Sequence, residues 1–292
     1  MAKESAISRY PRAATLPNSS PATRVLHDLL QVKRPLVMGV LNVTPDSFSD
    51  GGKFLEPPQA IAHAQRLAGE GADIIDIGAE STRPYGGAQP VSPEEESRRL
   101  EPILPAVVAT GTPISIDTMK AAVAARALEA GASMINDVWG LQRDRDMARV
   151  VAERGVPIII MHNRETADPS IDIIADVTNF FSRSLEIAWE AGISHHQIVL
   201  DPGIGFGKTS EQSLACLAHL RVWKGFDLPL LVGASRKRFI NTIKPTEPAE
   251  RLPGSLAAHL LAVENGAAII RTHDVAATVQ AFAVANAIRR AK

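Results

Sequence analysis

Polar side chains that could bind a ligand stand directly after short apolar runs of the sequence. Each run is mostly Ile, Val, Leu and Ala, and the residue that follows is usually an acid, an amide or a base. Along the chain these positions are Asn42, Asp76 or Gly78, Asp117, Asn136, His162, Asp201, Ser235 with Lys237, and Arg271 with His273. Helix caps and turns account for one or two such residues. Burying all of them without partners would be costly, so a polar ligand is the better explanation.

The types of these residues indicate what the ligand contains. Asp117, Asn136 and Asp201 offer hydrogen-bond acceptors and one amide, which suits a flat heterocycle carrying several N–H donors. The cationic members of the set suit an anion such as phosphate: Lys237, Arg271 and His273. The small Gly233–Ser235 turn would also allow backbone N–H groups to approach that anion.

A repeated pattern of helix, glycine and apolar run predicts the elements that position these residues. Gly71, Gly131, Gly155 and Gly266 each end a helix-like stretch, because glycine accepts the positive φ of a helix C-terminus. The runs that follow lack strict alternation, as expected of strands buried on both faces of a parallel sheet. The predicted strands are Leu36–Leu41, Asp73–Ile77, Pro113–Ile116, Ser133–Ile135, Pro157–Met161, Gln197–Leu200, Pro229–Val232 and Ala267–Ile270.

Eight strands separated by helices predict a single (β/α)8 barrel, the TIM-barrel fold of the α/β class. We assign the barrel to residues 35–292 and an N-terminal extension, partly disordered at its start, to residues 1–34. A doubly wound open sheet is the alternative, but it usually carries G-x-G-x-x-G after its first strand, and Asn42-Val43-Thr44-Pro45 stands there instead. In a barrel, the C-terminal strand ends share one mouth, and strands seven and eight commonly hold phosphate. All eight strand ends should therefore converge on one site.

Composition narrows the classes of partner. The net charge is −1 and no apolar run is long enough to span a membrane, so neither a nucleic acid nor a membrane is expected as a partner. The single cysteine, Cys216, lies in an apolar helix-like stretch and is predicted to be a buried hydrophobic residue. One unpaired cysteine fits a reducing, cytoplasmic location.

Several local patterns have specific interpretations. The segment Asp201–Thr209 resembles a phosphate-binding P-loop, but Pro202 occupies the position of its first glycine. The pair His195-His196 precedes strand six and is expected at the barrel bottom and not in a metal site. Ser92 should begin a helix through a capping box with Pro93 at the first helical position. Thr118 should cap a helix over Met119–Ala130.

Two long loops follow the first two strands. They run over Asn42–Gly52 and Ser81–Gly87 and are rich in Gly, Pro, Ser and Asp. Ordinary surface connections could have this composition. Long loops at the top of a barrel are uncommon unless they are functional, so we interpret both as mobile lids.

From Pro35 to Arg290 the chain resembles the dihydropteroate synthases, a family of pterin-binding barrels. The resemblance rests on several motifs in order: Gly39-Val40-Leu41-Asn42-Val43-Thr44-Pro45-Asp46-Ser47-Phe48-Ser49-Asp50-Gly51-Gly52, Glu80-Ser81-Thr82-Arg83-Pro84, Ser115-Ile116-Asp117-Thr118, Ile135-Asn136-Asp137, Asp201-Pro202-Gly203-Ile204-Gly205-Phe206-Gly207-Lys208, Ser235-Arg236-Lys237 and Arg271-Thr272-His273-Asp274. It implies condensation of 6-hydroxymethyl-7,8-dihydropterin diphosphate with p-aminobenzoate, with Mg²⁺ as cofactor, in a homodimer that sulfonamides target. The reaction needs no protein nucleophile, which agrees with the lack of an evident Ser-His-Asp or Cys-His set.

The resemblance also implies a role for particular residues. The pterin would be held by Asp117, Asn136, Asp201, Lys237 and Arg271. The diphosphate would be bound by Asn42, Arg271 and His273, and Asn42 would also contact the magnesium ion. The p-aminobenzoate site would be formed by Thr82, Arg83, Pro84, Phe206 and Ser235. The catalytic set would be Lys237, Asp201, Arg271 and Asn42.

The chain departs from the family pattern in three places. Tyr85-Gly86 is inserted after Arg83-Pro84, Asn163 follows Met161-His162, and Glu211-Gln212-Ser213 replaces Glu-His-Asn. The insertion leaves the closed form of the second loop and the sensitivity to sulfonamides open. Two alternatives share the fold: a methyltransferase that passes a methyl group from methyltetrahydrofolate to a corrinoid protein, and an inactive pterin-binding paralogue. The cations after strands seven and eight argue against the methyltransferase, because that reaction does not need them. The intact set of polar residues argues against the inactive paralogue, because a protein without activity does not need all of them.

Overall fold

The structure is a computed structural model that describes residues 20–43, 56–80 and 91–291. Thr82, Arg83 and Pro84, and most of both predicted lids, lie outside the described residues. The extension and barrel boundaries assigned from the sequence stay predictions.

The described residues form a barrel of parallel strands, which confirms the predicted fold. The strands are β1 Leu36–Asn42, β2 Ile74–Gly78, β3 Ile114–Asp117, β4 Met134–Asp137, β5 Ile158–Met161, β6 Ile198–Asp201, β7 Leu231–Val232 and β8 Ile269–Thr272. They pair in the order β6-β5-β4-β3-β2-β1-β8-β7, and one bridge between Leu200 and Leu230 joins the two ends of this order. The predicted strands agree with the observed ones to within one or two residues.

Helices connect the strands and form the outer layer. In chain order they are α1 Pro21–Leu30, α2 Pro57–Gly69, α3 Pro93–Leu100, α4 Leu104–Val108, α5 Ala121–Glu129, α6 Met147–Arg154, α7 Ile173–Glu190, α8 Ser210–Ala218, α9 Arg238–Ile243, α10 Leu252–Glu264 and α11 Val275–Arg290. Most of the buried apolar residues lie between the sheet and this layer, as the strand composition requires. Within the described ranges, no helix combines the length and the apolar character that crossing a bilayer requires.

A second, smaller core fills the barrel interior below the mouth. It contains Leu36, Met38, Ile74, Met134, Ile159, Val199, Leu231 and Ile269, together with Leu26 of α1. Ser20 caps the N-terminus of helix α1, and its hydroxyl accepts a hydrogen bond from the Thr23 N–H at 3.2 Å. Thr23 in turn donates to the carbonyl oxygen of Gly155 at 2.9 Å. This helix closes the bottom of the barrel, although the sequence did not predict it.

Local signals for helix ends were read correctly in some places and wrongly in others. The Ser92 hydroxyl accepts from the Glu95 N–H at 3.2 Å, with Pro93 in the first turn, as predicted. The predicted cap at Thr118 is wrong, because α5 begins at Ala121 and Asp144 of a later loop accepts from the Ala121 N–H at 2.8 Å.

The structure confirms the predicted positions of Cys216 and of the pair His195-His196. Cys216 is buried, and this burial raises the pKa of its thiol to about 11. The ring of His196 packs edge-on against His27 of α1, so this histidine pair lies at the barrel bottom.

Candidate active site

Arg271 is the centre of a charged network inside the barrel mouth. Its Nε donates to Asp76 Oδ2 at 2.6 Å, and its second guanidinium nitrogen donates to Asp117 Oδ2 at 3.0 Å. The Asn136 amide also donates to Asp76 Oδ2, at 3.1 Å. Groups from β2, β3, β4 and β8 therefore meet at one place, and burial strengthens these charge-assisted bonds relative to bonds in water.

The same network presents acceptors that the protein does not use. Asp76 Oδ1, Asp117 Oδ1 and Asn136 Oδ1 are buried and have no hydrogen-bond partner among the described residues. Buried polar atoms are nearly always paired in folded proteins. Three such oxygens lining one mouth therefore indicate a ligand that brings several N–H donors.

Burial raises the pKa values of Asp117 and Asp201, the two aspartates that face this mouth. It raises the pKa of Asp117 to about 7, because the charge of Arg271 opposes desolvation only in part. It raises the pKa of Asp201 to about 6, while the Gly203 N–H donates to Asp201 Oδ1 at 2.8 Å and opposes the shift. Both groups are thus acids at which a bound donor or cation can determine the charge state.

Lys237 lies opposite Phe206 across the mouth. Its Nζ is 4.1 Å from the centre of the Phe206 ring, a cation–π contact. A side chain at Gly205 would meet Lys237 Cδ at 3.3 Å, and Gly205 also has a φ of +80°. Glycine at this position lets the lysine stem pass close to the loop after β6.

The ends of β7 and β8 are joined through Ser235. The hydroxyl of Ser235 accepts from the His273 N–H at 3.2 Å and lies 3.0 Å from His273 Nδ1. Beside it, Arg236 makes a bidentate ion pair with Asp274 at 2.6 and 3.0 Å. These contacts join the loop after β7 to the loop after β8 and fix the position of His273, one of the residues predicted to bind phosphate.

Asn42 ends β1 beside Asp117. Both side chains lie close to Gly78, since a Cβ placed there would be 3.6 Å from Asn42 Oδ1 and 3.6 Å from Asp117 Cβ. Among the described residues, no group of three or more His, Cys, Asp and Glu side chains could hold a metal ion. A magnesium ion often takes only one or two protein oxygens and completes its shell with water and phosphate, a pattern that a single Asn42 oxygen fits.

One strand end does not face the mouth as expected. His162 is fully buried behind the loop that follows β6, and its ring packs on Phe180 of α7 at 4.9 Å. The expectation that all eight strand ends open onto one site is therefore wrong at β5. The reason is that a polar residue at a strand end can turn toward the helix layer when partners are present there.

Hydrogen bonds and charge interactions link the predicted residues Asp117, Asn136, Asp201, Lys237 and Arg271. Phe206 contacts Lys237, Asn42 lies near Asp117, and Ser235 contacts His273 at the ends of β7 and β8. From the sequence, Asp76 was named only as one of two possible strand-end residues and was given no specific role, although it is an acid enclosed by Ile75 and Ile77 in a buried strand. This pattern could have identified Asp76 as a functional residue, because a carboxylate inside a buried apolar strand needs a cation or a hydrogen-bond donor as its partner.

Comparison with known proteins gives the family. Residues 38–273 match the family described as pterin binding enzyme. The dihydropteroate synthase of Bacillus subtilis (strain 168) is 46% identical over 258 residues, covering 87% of this chain and 90% of that protein. The Xanthomonas albilineans dihydropteroate synthase solved with 4-aminobenzoic acid has a TM-score of 0.83 and 46% identity, covering 88% of this chain and 94% of that one. The same organism's enzyme in complex with 7,8-dihydropteroate has a TM-score of 0.80 and 44% identity, with the same two coverages. The fold, the polar mouth and these matches together show that the chain belongs to the pterin binding enzyme family.

Proposed function

We propose that this chain is a dihydropteroate synthase, a transferase that joins 6-hydroxymethyl-7,8-dihydropterin diphosphate to p-aminobenzoate. The observation that carries the proposal is the set of three unpaired buried oxygens beside Arg271. A reduced pterin carries ring N–H and amino donors that match such oxygens. The ligands of the Xanthomonas albilineans structures, 4-aminobenzoic acid and 7,8-dihydropteroate, support the second substrate and the product.

The chemistry requires orientation and charge stabilisation. The C–O bond between the pterin methylene carbon and the diphosphate breaks, the electron-rich ring stabilises the developing cation, and the amine nitrogen forms the new C–N bond and then loses a proton. Holding both substrates in line lowers the entropic cost of their reaction. Fixed cations stabilise the departing negative charge.

Each group of residues has a place in this scheme. Asp117, Asn136 and Asp201 accept hydrogen bonds from the pterin, and Lys237 donates to it. Arg271 packs against the pterin and, with His273 and Asn42, binds the diphosphate. Phe206 and Ser235 line the p-aminobenzoate site together with Thr82, Arg83 and Pro84.

Mg²⁺ is the proposed cofactor, bound through the Asn42 oxygen and the diphosphate. Such an ion would offset the charge of the leaving group.

We also propose a homodimer, supported by an apolar groove of about 780 Å³ between α8, α9 and α10. Leu214, Ile243 and Leu261 at this groove are 38%, 66% and 58% exposed, which is more apolar surface than isolated exposed residues present. The single buried thiol of Cys216 supports a cytoplasmic location.

The proposal is tested by incubating the purified protein with the pterin diphosphate, p-aminobenzoate and magnesium. We expect diphosphate release that depends on p-aminobenzoate, with 7,8-dihydropteroate detected by mass spectrometry. The Asp201→Asn variant, which alters a proposed pterin contact, is the control and should release diphosphate more slowly than the wild type. Release without p-aminobenzoate, or methyl transfer from methyltetrahydrofolate to a corrinoid protein, would overturn it.

The inactive-paralogue alternative needs a cellular test. The gene should restore growth to a strain that lacks its own synthase. A well-folded protein that binds pterin and does not complement would favour the paralogue.

A further inference from the structure

Lys208 is a fully buried lysine to which the proposed reaction assigns no task. Its Nζ lies 2.6 Å from His162 Nδ1 and donates to the carbonyl oxygens of Gly203 at 2.9 Å and Phe206 at 3.1 Å. A lysine is rarely buried unless it is paired. Desolvation lowers the pKa of Lys208 to about 8, so the fold bears a cost to keep an ammonium group there.

The partners of Lys208 show what it joins. Gly203 and Phe206 lie in the loop between β6 and α8, whereas His162 follows β5. The loop packs directly on the segment after β5, since side chains at Gly203 and Gly207 would collide with the backbone of His162 and Arg164. Lys208 therefore ties two neighbouring strand ends together from below the mouth.

The histidine in this arrangement has a fixed hydrogen-bonding role. An ammonium group can only donate, so His162 Nδ1 accepts and the proton must sit on Nε2. That nitrogen lies 3.0 Å from Asp176 Oδ2, which also accepts from Arg164 at 3.0 Å. Burial, together with the Lys208 charge, lowers the pKa of His162 to about 3, so the ring stays neutral in this tautomer.

The loop held by Lys208 also carries residues of the mouth. The loop starts directly after Asp201, the last residue of β6, and the ring of its Phe206 packs on Lys237. Lys208 binds the backbone carbonyl of Phe206 itself, two residues away. A substitution of Lys208 should therefore alter the mouth mainly by moving the Phe206 ring.

We propose that Lys208 is a positioning residue for the second substrate. By tying the Gly203 and Phe206 carbonyls to His162, it holds the Phe206 ring against Lys237 and so shapes the p-aminobenzoate site. This inference rests on the proposed function, in which Phe206 lines that site.

The test is a double-mutant cycle on the full-length protein. Lys208→Met removes the donor and keeps an unbranched stem, and Phe206→Ala removes the ring. We expect Lys208→Met to raise the KM for p-aminobenzoate about tenfold, the usual size of losing bonds from a charged donor. The Kd of the pterin diphosphate, measured by calorimetry above pH 7, should rise by a smaller factor than this KM, because Asp117, Asn136 and Arg271 stand on strands away from the loop that Lys208 holds.

The decisive measurement is made in the Phe206→Ala background. If Lys208 acts through the ring, adding Lys208→Met to that variant should raise KM by less than about twofold more. Full additivity, an unchanged KM in Lys208→Met alone, or an unchanged KM in Phe206→Ala alone would each overturn the inference. In all three cases the wild-type protein still makes dihydropteroate, so these outcomes are distinct from failure of the proposed function.

Two further variants separate positioning from stability. Thr23→Val removes a buried hydrogen bond at the barrel bottom, and it should lower the melting temperature while leaving the KM for p-aminobenzoate unchanged. If Lys208→Met does not fold, Lys208→Gln retains one donor and should give an intermediate KM. In labelled wild-type protein, ¹⁵N NMR should show His162 Nδ1 unprotonated, and a protonated Nδ1 would overturn the arrangement.

Discussion

Replacing Asp76 by Asn tests how the mouth orients its central arginine. The substitution preserves the shape of the side chain and removes its charge. In the wild type, Asp76 Oδ2 accepts from Arg271 Nε at 2.6 Å and from the Asn136 amide at 3.1 Å. Both donors belong to side chains that should contact the pterin, so the variant should weaken pterin binding without touching the ligand site for p-aminobenzoate.

The magnitude follows from what the arginine retains. Removing the sole partner of a buried charge costs about 3–5 kcal/mol. Arg271 still has Asp117 at 3.0 Å, and an amide oxygen can still accept, so the full penalty does not apply. Exchanging a charged acceptor for a neutral one leaves a loss of about 1–2 kcal/mol. The Kd of the pterin diphosphate should therefore rise roughly 5- to 30-fold.

Calorimetry of the pterin substrate measures this change directly. The matched control is Asp137→Asn, a buried carboxylate one residue beyond Asn136 that accepts only from the backbone of its own loop, at Trp139 and Leu141. The control should lower stability and leave the Kd unchanged. If Asp76→Asn binds the substrate as tightly as the wild type, then Asp76 does not orient Arg271 for the ligand.

Three other outcomes are expected. Lys237→Ala should lower turnover at least about 100-fold, because it removes a charged contact from a site with little water, and near-normal rates would place the ring pocket elsewhere. Pterin affinity should fall as the pH drops through 7 and 6, since Asp117 and Asp201 have pKa values of about 7 and about 6, and protonation weakens each carboxylate as an acceptor and adds an O–H donor that faces the pterin's own donors. Calorimetry of Asp201→Asn should show a shallower pH dependence, and an equally steep one would contradict this role. Arg271→Ala should weaken binding of diphosphate, and an unchanged affinity by calorimetry would show that another cation holds it.

The barrel could be predicted because its signals are local and repeated. A glycine that ends a helix and a short apolar run each depend on a few neighbouring residues, and Gly155 does adopt the left-handed φ of 62° at the end of α6. The polar residue after each run marks the strand end, so most of the mouth could be named from the sequence. The family resemblance then supplied the individual roles.

The interpretations that failed depended on partners distant in the chain. Asp76 gains its role from Arg271, which is 195 residues away, and no local pattern pairs these two. The N-terminus of α5 is satisfied by Asp144 of a later loop and not by Thr118. No helix was predicted in the N-terminal extension, yet Pro21 stands in the first turn of α1 after the Ser20 cap, a position that suits proline.

The barrel closes between β6 and β7 with far less strand pairing than elsewhere in the sheet, and this seam runs through the mouth. β7 has only two residues, and Leu200 and Leu230 form the bridge that joins it to β6. Phe206 follows β6, whereas Ser235 follows β7, so the two described walls of the amine pocket stand on opposite sides of this seam. Of the proposed pterin contacts, Asp201 and Lys237 also border the seam, but Asp117, Asn136 and Arg271 stand on the well-paired strands β3, β4 and β8. Widening the amine pocket disturbs few backbone bonds, so bulkier arylamines should be tolerated better than enlarged pterins.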